Sequence, residues 1–334
     1  MTAKIDVAIV GATGSIGEAI VELLAKRAFP VNNLYLLASE RTAGTSLMFN
    51  GKPVMVTELK KFDFSKAQLA IFVATDAVSA QMLPQAQAQG CLTIDNSQVF
   101  AESAPLVVPF VNGQLLLARP EIVVNPDSNV IPLTTILKLL DDRMGLERVN
   151  VTAVQSVSGH GKKAISELAA QTASLLNGRG AEHNIYPQQI AFNVLPYVGE
   201  IRGDGHTDVE KRLVMQTRRV LGNESLNMNV SSIQVPVFYA DSMMVSIDTR
   251  TAVSLKEIRQ TLEDCSEIIV VDDDGGKHSA TPVTHSTGKE SIFVSRIRHD
   301  MSNDQGINLW VTTDNIHKSA AINTILIAES LINA

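Results

Sequence analysis

Apolar residues in the first third of the chain come in short runs of strand length, at residues 5–10, 34–38, 69–73, 92–94, 106–108 and 122–124. Residues 18–26 and 77–89 instead space their apolar positions at three and four, as helices do. The alternation predicts a parallel, doubly wound α/β sheet that closes near Asn125. The rhythm then changes. Residues 148–155, 233–239, 243–249, 292–297 and 307–313 read as longer strands, several following one another with no helix between, as an antiparallel or mixed sheet requires. Among them lie a helix over 162–176 and two capping boxes. Thr207 with Glu210 opens a helix to Leu221, and Ser254 with Glu257 opens one ending near Cys265. Residues 177–205 are irregular, residues 272–276 form an acidic, glycine-containing link, and an amphipathic helix over 317–332 is expected to return to the first domain. The fold class is therefore α/β. A Rossmann-type dinucleotide-binding domain, residues 1–126 plus the helix 317–334, precedes an α+β domain with a mixed sheet, residues 127–316.

Composition narrows the setting without changing this picture. The chain has 334 residues, 45% hydrophobic and 19% charged, enough for two ordinary cores. No apolar stretch has the length of a membrane span and the amino terminus lacks a signal-peptide pattern, so a cytoplasmic address is expected. A net charge of −7 without a basic run argues against nucleic acid or an anionic membrane as partner. The two cysteines, Cys91 and Cys265, lack metal-ligand spacing and read as small buried hydrophobes. No metal is expected.

The first strand runs into Gly11-Ala12-Thr13-Gly14-Ser15-Ile16-Gly17, with a helix behind it. Glycines in that setting let backbone approach a pyrophosphate while the helix start supplies N–H donors and positive potential. At the end of the second strand, where NAD binders carry an acidic residue, the sequence offers Ser39, Arg41 and Thr42, which suit a 2′-phosphate. NADP is thus the expected cofactor, ahead of NAD, which Glu40 keeps open.

The candidate chemistry centres on Asn125-Pro126-Asp127-Ser128-Asn129, a turn between an apolar run and the helical pattern Ile131, Leu133, Ile136, Leu137 and Leu140. A residue between a strand's carboxyl end and a helix's amino end sits where orphan N–H groups favour an anion. Ser128 is either a nucleophile so placed, or one of three residues, with Asp127 and Asn129, whose side chain caps the helix.

Ordered motifs over nearly the whole chain resemble the aspartate-semialdehyde dehydrogenase family. They are GATGSIGEAIVELL, LLASERTAG, IDNS, PLVVPFVN, VVNPDSNVIPL, QSVSGHGKKAISEL, FNVLPY, QVPVFYADS and LWVTTDNIHKSAAINTILIAESLI. The resemblance implies NADP in the first domain, a homodimer formed through the second, and reduction of aspartyl phosphate through a cysteine thioester. Carried over position by position, the glycine loop, Ser39, Arg41, Thr42, Asn96, Gln155, Asp314 and Asn315 match, Asn96 and Asn315 falling at cofactor positions. The cysteine of a turn resembling NPNCST falls on Ser128, and the general-base histidine of a segment resembling RVPVxxGHS falls on Asp241. The arginine for the substrate carboxylate falls on Gln234, and the phosphate-binding arginine falls on Ala101. A glutamate for the substrate amine falls on Val209, or one residue away on Asp208, and its partner lysine on Arg212. Glycines under the nicotinamide become Thr75 and Asp76. The family site is thus at Ser128, Gln155 and Asp241, substituted except at Gln155, and the closest resemblance is to the Usg-type branch, whose turn also resembles PDS.

A thiol with a pKa of about 8.5 ionises readily beside a histidine, whereas a serine needs a strong adjacent base, which a carboxylate is not. Loss of two anion-binding arginines weakens substrate binding independently. The expectation is a family homologue with acyl-phosphate reduction lost or altered, binding NADP and an unknown small molecule. The alternative is an active NAD(P)-dependent oxidoreductase on another aldehyde or oxo compound. A third reading joins Ser128, His160 and Asp241 as a hydrolase triad, although the turn lacks the GxSxG elbow.

Overall fold

The computed structural model describes residues 4–252, 254–272 and 278–333. The chain divides into two units, Met1–Asp127 with Ala320–Ala334, and Ser128–Ser319.

The first unit opens with β1 (Ile5–Val10), α1 (Ser15–Lys26) and β2 (Val31–Ala38). It continues through β3 (Ser46–Phe49), β4 (Lys52–Glu58), β5 (Leu69–Phe72), α2 (Asp76–Ala88), β6 (Leu92–Asp95), α3 (Pro109–Asn112) and β7 (Ile122–Val124). The sheet order is β3-β4-β2-β1-β5-β6-β7. The strand β5, and β1 beyond Asp6, are apolar because both faces are covered, Val7 to Val10 and Leu69 to Phe72 being buried. The expected purely parallel sheet is corrected at one edge, where β3 runs antiparallel to β4. Asn50 and Gly51 make that hairpin's two-residue turn with φ of 50° and 75°, the left-handed pair that suits a tight hairpin. The expected strand at 106–108 reduces to a single bridge between Leu106 and Val124.

The second unit contains α4 (Val130–Met144), β8 (Leu146–Gln155), α5 (Lys162–Leu176), α6 (Asp208–Leu221), β9 (Asn227–Gln234) and β10 (Asp241–Thr249). Then come α7 (Leu255–Glu263), β11 (Ile268–Val270), β12 (Ile292–His299) and β13 (Gly306–Thr313). The sheet, β11-β12-β13-β10-β8-β9, mixes antiparallel pairs with parallel ones at both ends. Both capping boxes form: the Thr207 hydroxyl accepts from Glu210 N–H, and the Glu210 carboxylate accepts from Thr207 N–H, with the same exchange at Ser254 and Glu257.

Two expectations are corrected here. The strand read at 233–239 lies instead at Asn227–Gln234, pairing parallel with β8 from Arg148↔Asn227 to Gln155↔Gln234. Polar Asn227, Asn229, Ser231 and Ser232 hide its alternation, and beyond it Pro236 has no N–H for a ladder while Ala240 turns back at φ +69°. The final helix is not uniform: Asn315–Ile322 is π-helical, and α8 (Asn323–Asn333), in the first unit, is α-helical. Asp314 Oδ1 accepts Ile316 and His317 N–H at 2.9 and 2.7 Å, which holds the π turn's start. Most of the link expected at 272–276 lies outside the described residues; its first member, Asp272, accepts from Arg259 at 2.6 Å.

Candidate functional site

The glycine loop is built by steric necessity. Gly11 has φ +91°, and a Cβ there would lie 2.5 Å from Val73 O; one on Gly17 would lie 2.4 Å from Gly11 O. Only hydrogen fits at either place, so the chain passes close beneath the start of α1. Gly14, the N-cap of that helix, has no side chain to cover the first-turn N–H groups, which leaves them directed at whatever anion arrives. Thr13 Oγ1 and Thr42 Oγ1 lie 3.2 Å apart, which brings the turn after β2 beside this loop. Ser39, Glu40 and Arg41 in that turn are exposed, so a phosphate could reach them. The backbone cradle and its flanking hydroxyls fit a dinucleotide, whose pyrophosphate Gly11, Thr13, Gly14, Ser15, Ile16 and Gly17 would hold.

Asn96 has other work. Its Nδ2 donates to Phe72 O at 3.2 Å, and its Oδ1 accepts from Asn125 Nδ2 and Thr324 Oγ1, both at 2.9 Å. Asn125 Oδ1 accepts in turn from Asn323 Nδ2 at 2.6 Å. This network fastens the ends of β5, β6 and β7 to α8. Thr75 is the N-cap of α2 without a side-chain bond, and Asp76, in its first turn, accepts from Gln98 N–H at 3.4 Å.

In the second unit, strand register collects the other candidates at one end of the sheet. Gln155 and Gln234 are paired at the carboxyl ends of β8 and β9, and Asp241, opening β10, is paired with Thr313 of β13. Asp241 is 3% exposed. Its Oδ1 accepts from Ser156 N–H and from Ser156 O–H, each at 2.8 Å, and its Oδ2 from Asn129 Nδ2 at 3.3 Å. The carboxylate therefore anchors the loop after β8 and the start of α4. Ser156 Oγ lies 3.0 Å from Ser158 Oγ, which donates to Asn315 Oδ1 at 3.0 Å; Ala240 N–H donates to the same oxygen at 3.3 Å. Asn315 is thus bonded within this network. Ala240 holds its left-handed conformation where the family's segment has glycine, directly before the anchoring aspartate.

Ser128 is half-buried, and its hydroxyl makes no hydrogen bond among the described residues. Asn129, the N-cap residue of α4, makes no side-chain capping bond. The hydrolase reading fails on His160, whose ring packs edge-on to Tyr186 at 5.2 Å and whose Nδ1 lies 3.4 Å from the Tyr186 hydroxyl, with no bond to Ser128 or Asp241. Burial by neighbouring groups lowers the imidazole pKa, although an edge of His160 remains exposed, and burial together with the nearby charges of Glu167 and Asp241 raises that of Tyr186.

The remaining family positions hold no anion clamp. Ala101 is buried, Val209 is 9% exposed on α6, and Arg212 reaches Asp208 at 3.8 Å, while Asp208 itself accepts Glu200 N–H at 2.7 Å. Neither cysteine is poised as a thiolate: burial pushes Cys91 up to about 11 and raises Cys265, and Cys91 donates to Ala67 O at 2.9 Å. The sequence reading passed over Ser156 and Ser158, although their spacing directly after a strand end is the signal that could have shown them. It also passed over a cavity of about 540 Å³ at the same sheet end, walled by His160, Tyr186, Leu195, Tyr197 and Gln234.

A nucleotide cradle followed by a unit built on a six-stranded mixed sheet defines a two-domain dehydrogenase architecture. Residues 6–118 match the model for the semialdehyde dehydrogenase NAD binding domain, and residues 137–318 match that for the semialdehyde dehydrogenase dimerisation domain. The chain is 40% identical to aspartate-semialdehyde dehydrogenase of Legionella pneumophila, over 99% of its own length and 96% of the relative's. It is 41% identical to aspartate-semialdehyde dehydrogenase 2 of Vibrio cholerae over 99% of both. Among solved structures, aspartate semialdehyde dehydrogenase II of Vibrio cholerae complexed with ASA superposes with a TM-score of 0.96 at 40% identity, covering 99% of each chain. The chain belongs to the aspartate-semialdehyde dehydrogenase family.

Proposed function

We propose that the chain is an NADP-binding homodimer of the family's Usg-type branch, acting in the cytoplasm, in which covalent acyl-phosphate reduction is lost. One observation carries the reading: the group at the base position, Asp241, is occupied by Ser156 and Asn129, while the hydroxyl at the nucleophile position, Ser128, has no partner among the described residues to remove its proton. Gly11 to Gly17 hold the pyrophosphate, and Ser39, Arg41 and Thr42 meet the 2′-phosphate. A bound nicotinamide supplies or accepts hydride. Gln234 presents a neutral carboxamide where an anionic substrate needs a guanidinium. The family's dimerisation domain and exposed apolar Phe192, Val194 and Phe238 in the second unit support self-association.

The test is phosphate-dependent oxidation of aspartate semialdehyde by the purified protein. No turnover is expected, and Ser128→Cys alone leaves it silent because Asp241, Gln234 and Ala101 remain. Turnover at the rate of an ordinary member, or recovery by that one change, overturns the reading. Relatives bearing the enzyme's name at 40 and 41% identity favour a second reading, a chain that keeps oxidoreductase activity, on aspartate semialdehyde itself or on another aldehyde or oxo compound. NADPH oxidation against a panel of aldehydes separates the two.

A further inference from the structure

Three asparagines in the chain are followed by glycine: Asn50, Asn112 and Asn177. In that pair the backbone nitrogen can turn onto the preceding carboxamide, because glycine has no Cβ to obstruct the approach. An unfolded chain treats the three alike. Folding separates them.

Asn112 is 6% exposed, and both ends of its carboxamide are held: Oδ1 accepts from Val108 N–H at 2.9 Å and Nδ2 donates to Leu106 O at 2.8 Å. Asn177 closes α5 in the open, yet its Nδ2 donates to Ala173 O at 2.7 Å. The Gly178 N–H that would attack it is also engaged, donating to Leu175 O at 3.0 Å. Asn50 carries neither restraint. It and Gly51 are exposed in the turn between β3 and β4, and neither the Asn50 carboxamide nor the Gly51 N–H makes a hydrogen bond among the described residues. Because β3 is four residues long and lies at the sheet edge, opening this turn costs far less than unfolding the domain.

We infer that Asn50 is a site of spontaneous self-modification. The Gly51 nitrogen bonds to Asn50 Cγ, the Cγ–Nδ2 bond breaks, and Nδ2 leaves as ammonia with the proton that Gly51 sheds. Water then opens the cyclic imide at either carbonyl. Cleavage at Cγ gives aspartate, and cleavage at the main-chain carbonyl gives isoaspartate, whose backbone runs through the former side chain. Only water is consumed, and nothing is oxidised or reduced. Aspartate keeps the turn, since Asp-Gly suits the same left-handed pair. Isoaspartate adds a methylene to the backbone, so the two-residue turn no longer closes Phe49 onto Lys52 and β3 comes away from β4. The Thr42 turn stays in place, because Gly44 N–H donates to Val56 O at 2.9 Å and Val56 N–H to Thr45 O at 2.8 Å, toward the other end of β4. The change therefore loosens one sheet edge and spares the candidate cofactor turn, whatever the chain catalyses.

Peptide mapping by mass spectrometry, on the full chain aged in mildly alkaline buffer, reads the acid formed at each of the three sites. Conversion at Asn50 is expected at least about tenfold faster than at Asn112, which must first be released by local unfolding, and faster than at Asn177. In urea the three should convert at similar rates, which separates the contribution of the fold from that of the dipeptide. Hydrogen exchange in the isoaspartate fraction should quicken over residues 46–55 while β1 keeps its protection. Conversion at Asn50 no faster than at either other site in the folded chain overturns the assignment, as does the same ranking in urea. Unchanged exchange over 46–55 in the isoaspartate fraction overturns the release of β3.

Discussion

The glycine loop of the first unit and the sheet-end cluster of the second are built from different material. The loop is backbone: at Gly11 and Gly17 a single added carbon would lie 2.5 and 2.4 Å from carbonyl oxygens, so the fold enforces the residue type whatever the loop binds. The cluster is side chain: Asp241, Ser156, Asn129, Ser158 and Asn315 are joined by hydrogen bonds into one buried polar knot. A backbone-built binding site is kept as long as the fold is kept. A side-chain site is freely rewritten into structure.

That contrast breaks first at Gly17→Ala. Its Cβ meets backbone of Gly11 and Ala12, which cannot swing aside, and a loss of about 3 kcal/mol in urea unfolding is expected. A loss within experimental error would mean that the loop adapts and its glycines are not enforced. Next in size is the cofactor. NADP at a hundredfold excess over its dissociation constant should add about 2.7 kcal/mol to stability and raise the melting temperature more than NAD does. Arg41→Ala should remove the difference between the two cofactors without destabilising the free protein, because this arginine is exposed. Absence of any shift at millimolar dinucleotide would make the loop a structural relic.

Asp241→Ala should cost roughly 2 kcal/mol, since it strands the buried N–H and hydroxyl of Ser156, whereas Ser128→Ala should fall within about 0.5 kcal/mol because that hydroxyl holds nothing. Comparable costs for the two, measured by denaturant titration, would dissolve the distinction between anchor and bystander. The smallest effect is a gain. Ala240→Gly relieves a left-handed alanine, worth about 1–2 kcal/mol, against a buried methyl worth about 0.8, so calorimetry should register a net gain of about 0.5 kcal/mol. A net loss would show that the methyl's packing outweighs the strain.

Much of this molecule was legible in its residues alone. Runs buried on both faces, such as β1 and β5, need no context to be read, because apolar continuity over strand length has few other solutions. The glycine loop and both capping boxes are local for the same reason: each is fixed by atoms within a few residues of one another. The antiparallel β3 escaped the expected all-parallel sheet although Asn50-Gly51 marks its turn, since the strand is only four residues long and alternately exposed. What only the tertiary structure decided was pairing over long separations. The position of β9 follows from its register with β8, some eighty residues earlier, and from Pro236 and Ala240 beyond it, not from its own mixed sequence. Whether Asp241 is a base or an anchor depended on Ser156 being 85 residues away along the chain and 2.8 Å away in space. Gln234's orphaned oxygen likewise exists only because Gln155 claims the other end of its amide. Residue type sets which bonds are available, while the fold sets which are already taken, and function at this sheet end turns on the second.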